Sequence, residues 1–175
     1  MNESFETILS AGEKKNSLGR AGEVVDIVLD DKSRLEELYQ SMFSQDAWIR
    51  MRAADTFEKV GREHPEWIVP YIDHLQSDLS TSTQPSIQWH LAQIYEQIEL
   101  SDTQRQRAIA WLEKLLSTID VDWIVAANAM DTLAHFTQLG QYDTSQLLAL
   151  LRVQTGHKSN AVVKRATKIT TEFSI

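Results

Sequence analysis

The feature that constrains this chain most is a helical stripe that returns every 37 or 38 residues. Aligning Asp46-Ala47-Trp48-Ile49, Gln84-Pro85-Ser86-Ile87, Asp122-Trp123-Ile124-Val125 and Ser159-Asn160-Ala161-Val162 brings Ile49, Ile87, Val125 and Val162 to one position. Four residues on come Ala53, Leu91, Ala129 and Ala166. Eight on come Phe57, Tyr95, Leu133 and Thr170, and eleven on, Val60, Ile98, Phe136 and Phe173. A helix turns about 100° per residue, so these offsets fall on one side of it. Thr170 is the one polar exception that is not a Tyr. A stripe kept in register through four copies predicts a repeat fold whose helices bury the same face against successive neighbours.

The helix starts recur as well. Asp46, Asp122 and Ser159 stand three residues before their anchors, where a side-chain oxygen can accept from the unpaired first-turn N–H groups. The second copy has Gln84-Pro85 instead, and proline suits the first helical position because its missing N–H would have no partner there. Second helices lie between the first ones. Residues 65–79 carry Ile68, Ile72, Leu75 and Leu79; residues 103–119 carry Ala108, Leu112, Leu115, Leu116 and Ile119; residues 145–153 carry Leu147, Leu148, Leu150 and Leu151. Upstream, 17–29 and 33–43 form a divergent first pair, the former holding Ala21, Val24, Val25 and Val28. Gly19 and Gly22 each weaken such a helix by roughly 1 kcal/mol relative to Ala. Either they permit close helix contact or the helix begins nearer Ala21. Residues 1–16 read as a short helix around Phe5–Leu9 and a polar connector from Gly12 to Asn16. The expected organisation is one all-α domain over 1–175, with repeats over 17–175.

Composition narrows the function classes. With 3 Pro and 6 Gly in 175 residues, turn punctuation is too sparse for many short strands. Zero Cys removes a disulfide framework, a thiolate zinc site and a Cys nucleophile. The net charge of −8 opposes non-specific binding to nucleic acid or anionic membrane, which lysine and arginine would have to hold. The charge is uneven: 1–157 hold 13 basic and 24 acidic residues, a net of −11, whereas 158–175 hold Lys158, Lys164, Arg165 and Lys168 against Glu172, a net of +3. That basic end reads either as a capping helix with a solvated face or as a local anion or partner site. No apolar run has the length of a membrane span, and Met1 to Glu6 is acidic where a signal peptide would be basic. A cytoplasmic location is the expectation.

Residues 46–57 resemble the first helix of a HEAT repeat. The match runs through Asp46, the Ile49-Arg50 pair, Ala53-Ala54 and Phe57. The other copies replace Arg50 by Gln88, Ala126 and Val163. The spacing also suits HEAT better than ankyrin at about 33 residues or tetratricopeptide at about 34. The resemblance implies a right-handed α-solenoid of about four to five stacked antiparallel helix pairs, serving most often as a protein-binding scaffold or adaptor without enzymatic activity. One branch of HEAT-like solenoids excises alkylated bases from DNA, which is the alternative it leaves open.

Constant register also aligns residues off the stripe. Two past the anchor are Met51, Trp89, Ala127 and Lys164; three past, Arg52, His90, Asn128 and Arg165; six past, Asp55, Gln93, Asp131 and Lys168. Met51, Arg52, Asp55, Trp89, His90, Gln93, Asn128 and Arg165 are therefore the candidate partner-binding ridge, Trp, Met and Arg being enriched in interfaces. In the alternative reading the positions two past the anchor pack between repeats, and those three and six past form a structural hydrogen-bond ladder. Of the five Trp, core packing is expected for Trp48, Trp111 and Trp123, with Trp67 and Trp89 divided between core and surface. The five His lack the spacings that put two metal ligands on one helix face, so no metal or cofactor is expected. A base-excision enzyme needs a carboxylate beside aromatic groups and a basic groove; Asp131, eight residues after Trp123, is the nearest candidate.

Overall fold

The structure is a computed structural model that describes residues 3–12 and 17–174. Positions 13–16 of the expected connector lie outside the described residues. Every described element is helical, and the described residues contain no strand. They pack as two compact units, residues 1–68 and 69–175.

The first unit holds α1 (Phe5–Ser10), α2 (Ala21–Asp30), a 3-10 turn (Lys32–Arg34) running into α3 (Leu35–Ser41), α4 (Ala47–Glu63) and α5 (Pro65–Ile68). Helix α2 starts at Ala21 and not at Ser17. Gly19 has φ +53°, a left-handed conformation, and an added Cβ would lie 2.0 Å from the Ala11 carbonyl oxygen. The chain must turn there before a helix can form. Gly22 faces open space, so it serves no close helix contact. Helix α4 packs on α1, α2 and α3. Its stripe, Ile49, Ala53, Phe57 and Val60, is buried. Burying a side chain as large as Phe57 contributes about 1.5–3 kcal/mol. Thr56 lies beside the stripe and donates to Arg52 O at 2.8 Å.

The long second helix expected over 65–79 is not continuous. It becomes α5, a 3-10 turn (Val69–Tyr71), one α turn numbered α6 (Ile72–His74) and a π turn (Leu75–Leu79). Pro70 brings no N–H to the helical ladder, which accounts for the break. The division between the two units falls at the same place, after Ile68.

The second unit continues with α7 (Pro85–Gln97), α8 (Asp102–Leu116), α9 (Trp123–Gln138), α10 (Thr144–Gln154) and α11 (Asn160–Phe173). Helix α9 is its centre, touching α7, α8, α10 and α11. The stripes of α7 and α9 are buried throughout, as are Val162 and Ala166 of α11, while Thr170 and Phe173 near its end are half-buried. Thr132 of α9 repeats the position of Thr56 and donates to Ala92 O on α7 at 3.0 Å. Asp46 and Asp122 cap as expected, each accepting from the N–H two residues on. Pro85 stands at the start of α7. Ser159 makes no side-chain cap bond. Its own N–H donates instead to His157 Nδ1 at 2.9 Å.

Trp48, Trp111 and Leu115, expected in the core, are only half-buried, and two further apolar residues are exposed. Trp123 is 52% exposed. It lies two residues before the anchor, about 160° around the helix from the buried stripe. Ile119 is 42% exposed because α8 ends at Leu116, leaving residue 119 in the following loop.

Candidate functional site

The ridge residues are best followed unit by unit. In the first unit, Arg52 is 2% exposed. Its Nε donates to Ser17 O at 2.8 Å and its Nη1 to Leu9 O at 2.6 Å. The guanidinium lies over Gly12, where an added Cβ would come within 2.4 Å of Nη2. Arg52 thus fastens the N-terminal segment from inside and offers no solvent-facing surface, contrary to an exposed ridge at this offset. Asp55 is half-buried and accepts from Lys59 Nζ at 2.7 Å, while Met51 is half-buried.

In the second unit, His90 is buried and its Nδ1 lies 3.0 Å from Gln93 Oε1. Trp89 is half-buried, tilted against His90 with ring centroids 5.1 Å apart. Asn128 donates to Ile124 O at 2.8 Å within its own helix. Arg165 forms a fork with Asp131, Nε to Oδ1 and Nη2 to Oδ2, both at 2.6 Å. That bond joins α11 to α9 from positions three and six past their anchors, so the inter-repeat ladder reading is realised there. It also engages both oxygens of Asp131, the carboxylate that a base-excision reading would require.

A feature that sequence reasoning missed lies at the edge of the second unit, where the second helices end and the next first helices begin. A half-open groove of about 740 Å³ runs between the 80–85 loop and the last turns of α8. Trp111, Lys114, Leu115 and Thr118 all line it. Trp111, Lys114 and Leu115, three and four residues apart, mark one face of α8, distinct from the Ala108, Leu112 and Leu116 face in the core, and Thr118 follows in the loop. This second apolar face was visible in the sequence, but Trp111 and Leu115 read as additional core. The opposite wall is rich in hydroxyls, Thr81, Ser82 and Thr83 among them, with Pro85 at its base. Asp120 and Asp122 also line it.

Both walls are braced from behind. Trp111 Nε1 donates to Ser80 O at 2.9 Å, and Gln88 Nε2 to Ser82 O at 3.0 Å, pinning the 80–85 loop to two helices. Tyr95 meets Trp111 edge-on at 5.9 Å, and burial pushes its phenol pKa up, which keeps it neutral. The 117–122 loop is held by Gln154, whose Nε2 donates to Leu116 O and Thr118 O at 2.8 and 2.9 Å. His157 Nε2 lies 2.9 Å from Val121 O. Since His157 Nδ1 accepts from Ser159 N–H, the ring carries its proton on Nε2 and donates it to Val121. A cavity of this size with braced walls suits a ligand held without reorganisation of the site.

Among the described residues, no group of three or more His, Asp or Glu could hold a metal ion, and no helix is long and apolar enough to cross a membrane.

The family model of the HEAT repeat domain matches residues 11–118. That stretch is more than half of the chain, and the chain belongs to the HEAT repeat family. HEAT repeats form scaffolds that typically mediate protein interactions. Comparison with curated proteins and with solved structures gives no significant match.

Proposed function

We propose that this protein is a non-enzymatic adaptor that binds a protein partner, its helix pairs stacking as a right-handed solenoid of four to five pairs. The observation that carries this reading is the HEAT repeat match over 11–118 on an all-helical chain. The braced groove beside α8 supports it, because it combines an apolar floor with polar walls, as protein-binding sites do. The net charge of −8 favours a protein over a polyanion as the partner. Met51 and Trp89, each partly exposed, are further candidates for contact at their own sites.

The test is reciprocal capture. The tagged full chain is purified from its native cell, co-purifying proteins are identified by mass spectrometry, and each is tagged in turn. A partner recovered in both directions at near-equal amounts is the expected result. Release of alkylated bases from damaged DNA by the purified chain, with no reciprocal partner, would overturn the reading.

A further inference from the structure

The protein-binding reading leaves open what kind of partner surface the groove accepts, and the chemistry of its walls narrows the choice. The floor offers the half-buried faces of Trp111, Leu115 and Pro85. These can seat an apolar side chain, and a half-buried aromatic is the residue type that most often dominates binding energy. Beside the floor, Thr83 is exposed, and no residue of the described chain bonds its backbone N–H or C=O. Gln84 next to it is extended, with φ −76° and ψ 117°. The N–H and C=O of Thr83 offer one donor and one acceptor to the backbone of a bound peptide.

Charge selects further. Asp120 is exposed, and its carboxylate makes no bond within the described residues; Asp122 uses one oxygen to cap α9. Among the described residues that line the groove, Lys114 is the one cation, so that lining carries a net of 1 − 2 = −1. A basic side chain beside Asp120 is favoured locally and is drawn in by the negative charge of the whole chain.

Resting on the protein-binding reading, we propose that the groove receives an extended peptide segment of the partner. An apolar side chain sits on Trp111 and Leu115, and a neighbouring Lys or Arg faces Asp120. The peptide backbone pairs with Thr83.

The probe is a displayed library of random dodecapeptides, selected on the immobilised full chain. Selected sequences are then synthesised with a fluorophore and titrated by anisotropy. The expected consensus is an apolar residue followed closely by Lys or Arg. Asp120→Lys should weaken these peptides at least tenfold, and replacing the peptide's basic residue by Glu should recover most of the loss. Thr83→Pro, which deletes the N–H, should weaken them at least tenfold as well. Both positions are exposed loop sites, and unchanged circular dichroism confirms that each variant folds. The proposal is overturned if no sequence is enriched, or if affinity stays within twofold in both variants. It is also overturned if the groove binds a labelled oligothymidylate that Lys114→Glu releases. A native partner captured reciprocally but indifferent to Asp120→Lys and Thr83→Pro would sink the groove and leave the adaptor reading standing.

Discussion

Arg52 reaches back 43 residues to donate from Nη1 to the carbonyl of Leu9 at 2.6 Å. The same guanidinium donates to Ser17 O, so one side chain on α4 ties Leu9 to Ser17. Helix α1 has six residues, too few to be stable alone, and it buries Phe5, Ile8 and Leu9. A short helix of this kind persists because its apolar face is covered and its end is tied.

Replacing Arg52 by Leu should therefore cost about 3 kcal/mol, since charge-assisted bonds contribute roughly 1.5–3 kcal/mol each and the carbonyls would be left unpaired. Urea denaturation reads the loss, and hydrogen exchange should show amides 5–10 losing protection first. Arg52→Lys should restore less than half, because an ammonium cannot span both carbonyls. Gly12→Ala, which would push a methyl against the guanidinium, should give a milder form of the same defect. Wild-type stability in Arg52→Leu would mean that the clamp is idle.

The fork between Asp131 and Arg165 should matter far less. Its side chains are 29% and 41% exposed, and pairs this accessible couple by about 0.5–1 kcal/mol. A double-mutant cycle with Asp131→Asn and Arg165→Met measures the coupling directly. It should shrink at ~1 M salt, where the screening length is ~3 Å. A coupling of several kcal/mol, insensitive to salt, would contradict this picture.

Acid should loosen two defined helix starts. The Asp31 carboxyl is held below its ordinary 3.8 by the Ser33 hydroxyl and N–H. The Asp143 carboxyl is held below 3.8 by the Ser145 hydroxyl and the Gln146 N–H. A carboxyl whose pKa is depressed by folding contributes stability above its unfolded value and loses it as pH falls through the folded one. The caps of the 32–34 turn and of α10 should thus be intact at pH 5 and fail progressively below 3.8. Amide chemical shifts of Ser33 and Gln146 followed down in pH check this. Asp143→Asn should flatten the response at Gln146 alone.

What could be read in the sequence was what depends on neighbours close along the chain. The stripe from Ile49 to Val60 and its copies follow from helical spacing, and the caps at Asp46 and Asp122 from residues two apart. Ser159 looked like a third cap, but a histidine two residues upstream takes its N–H. The fate of Arg52 depended on carbonyls 35 and 43 residues away, which no local pattern announces. Trp123, two residues before its anchor, lies outside the stripe by its offset and is exposed, against the core packing expected of it. The groove needs the 80–85 loop, α8 and the 117–122 loop together, and its apolar lining on α8, Trp111 and Leu115, reads as more core in the sequence.

Ala53, Ala129 and Ala166 stand at one buried position of the repeated stripe, and the absence of cysteine from the chain makes that register directly measurable. Single-cysteine variants Ala53→Cys, Ala129→Cys and Ala166→Cys place a thiol at positions that are 0% exposed. Ala47→Cys and Ala161→Cys place one on the exposed surface of α4 and α11. Labelling of each native protein with a thiol reagent is timed against labelling in urea. The three stripe thiols should react only as fast as the protein opens, at least a hundredfold slower than in urea, while the two surface thiols react at nearly their urea rate. A native Ala129→Cys thiol that reacts as fast as Ala161→Cys, in a protein with unchanged circular dichroism, would contradict the repeat register on which the account stands.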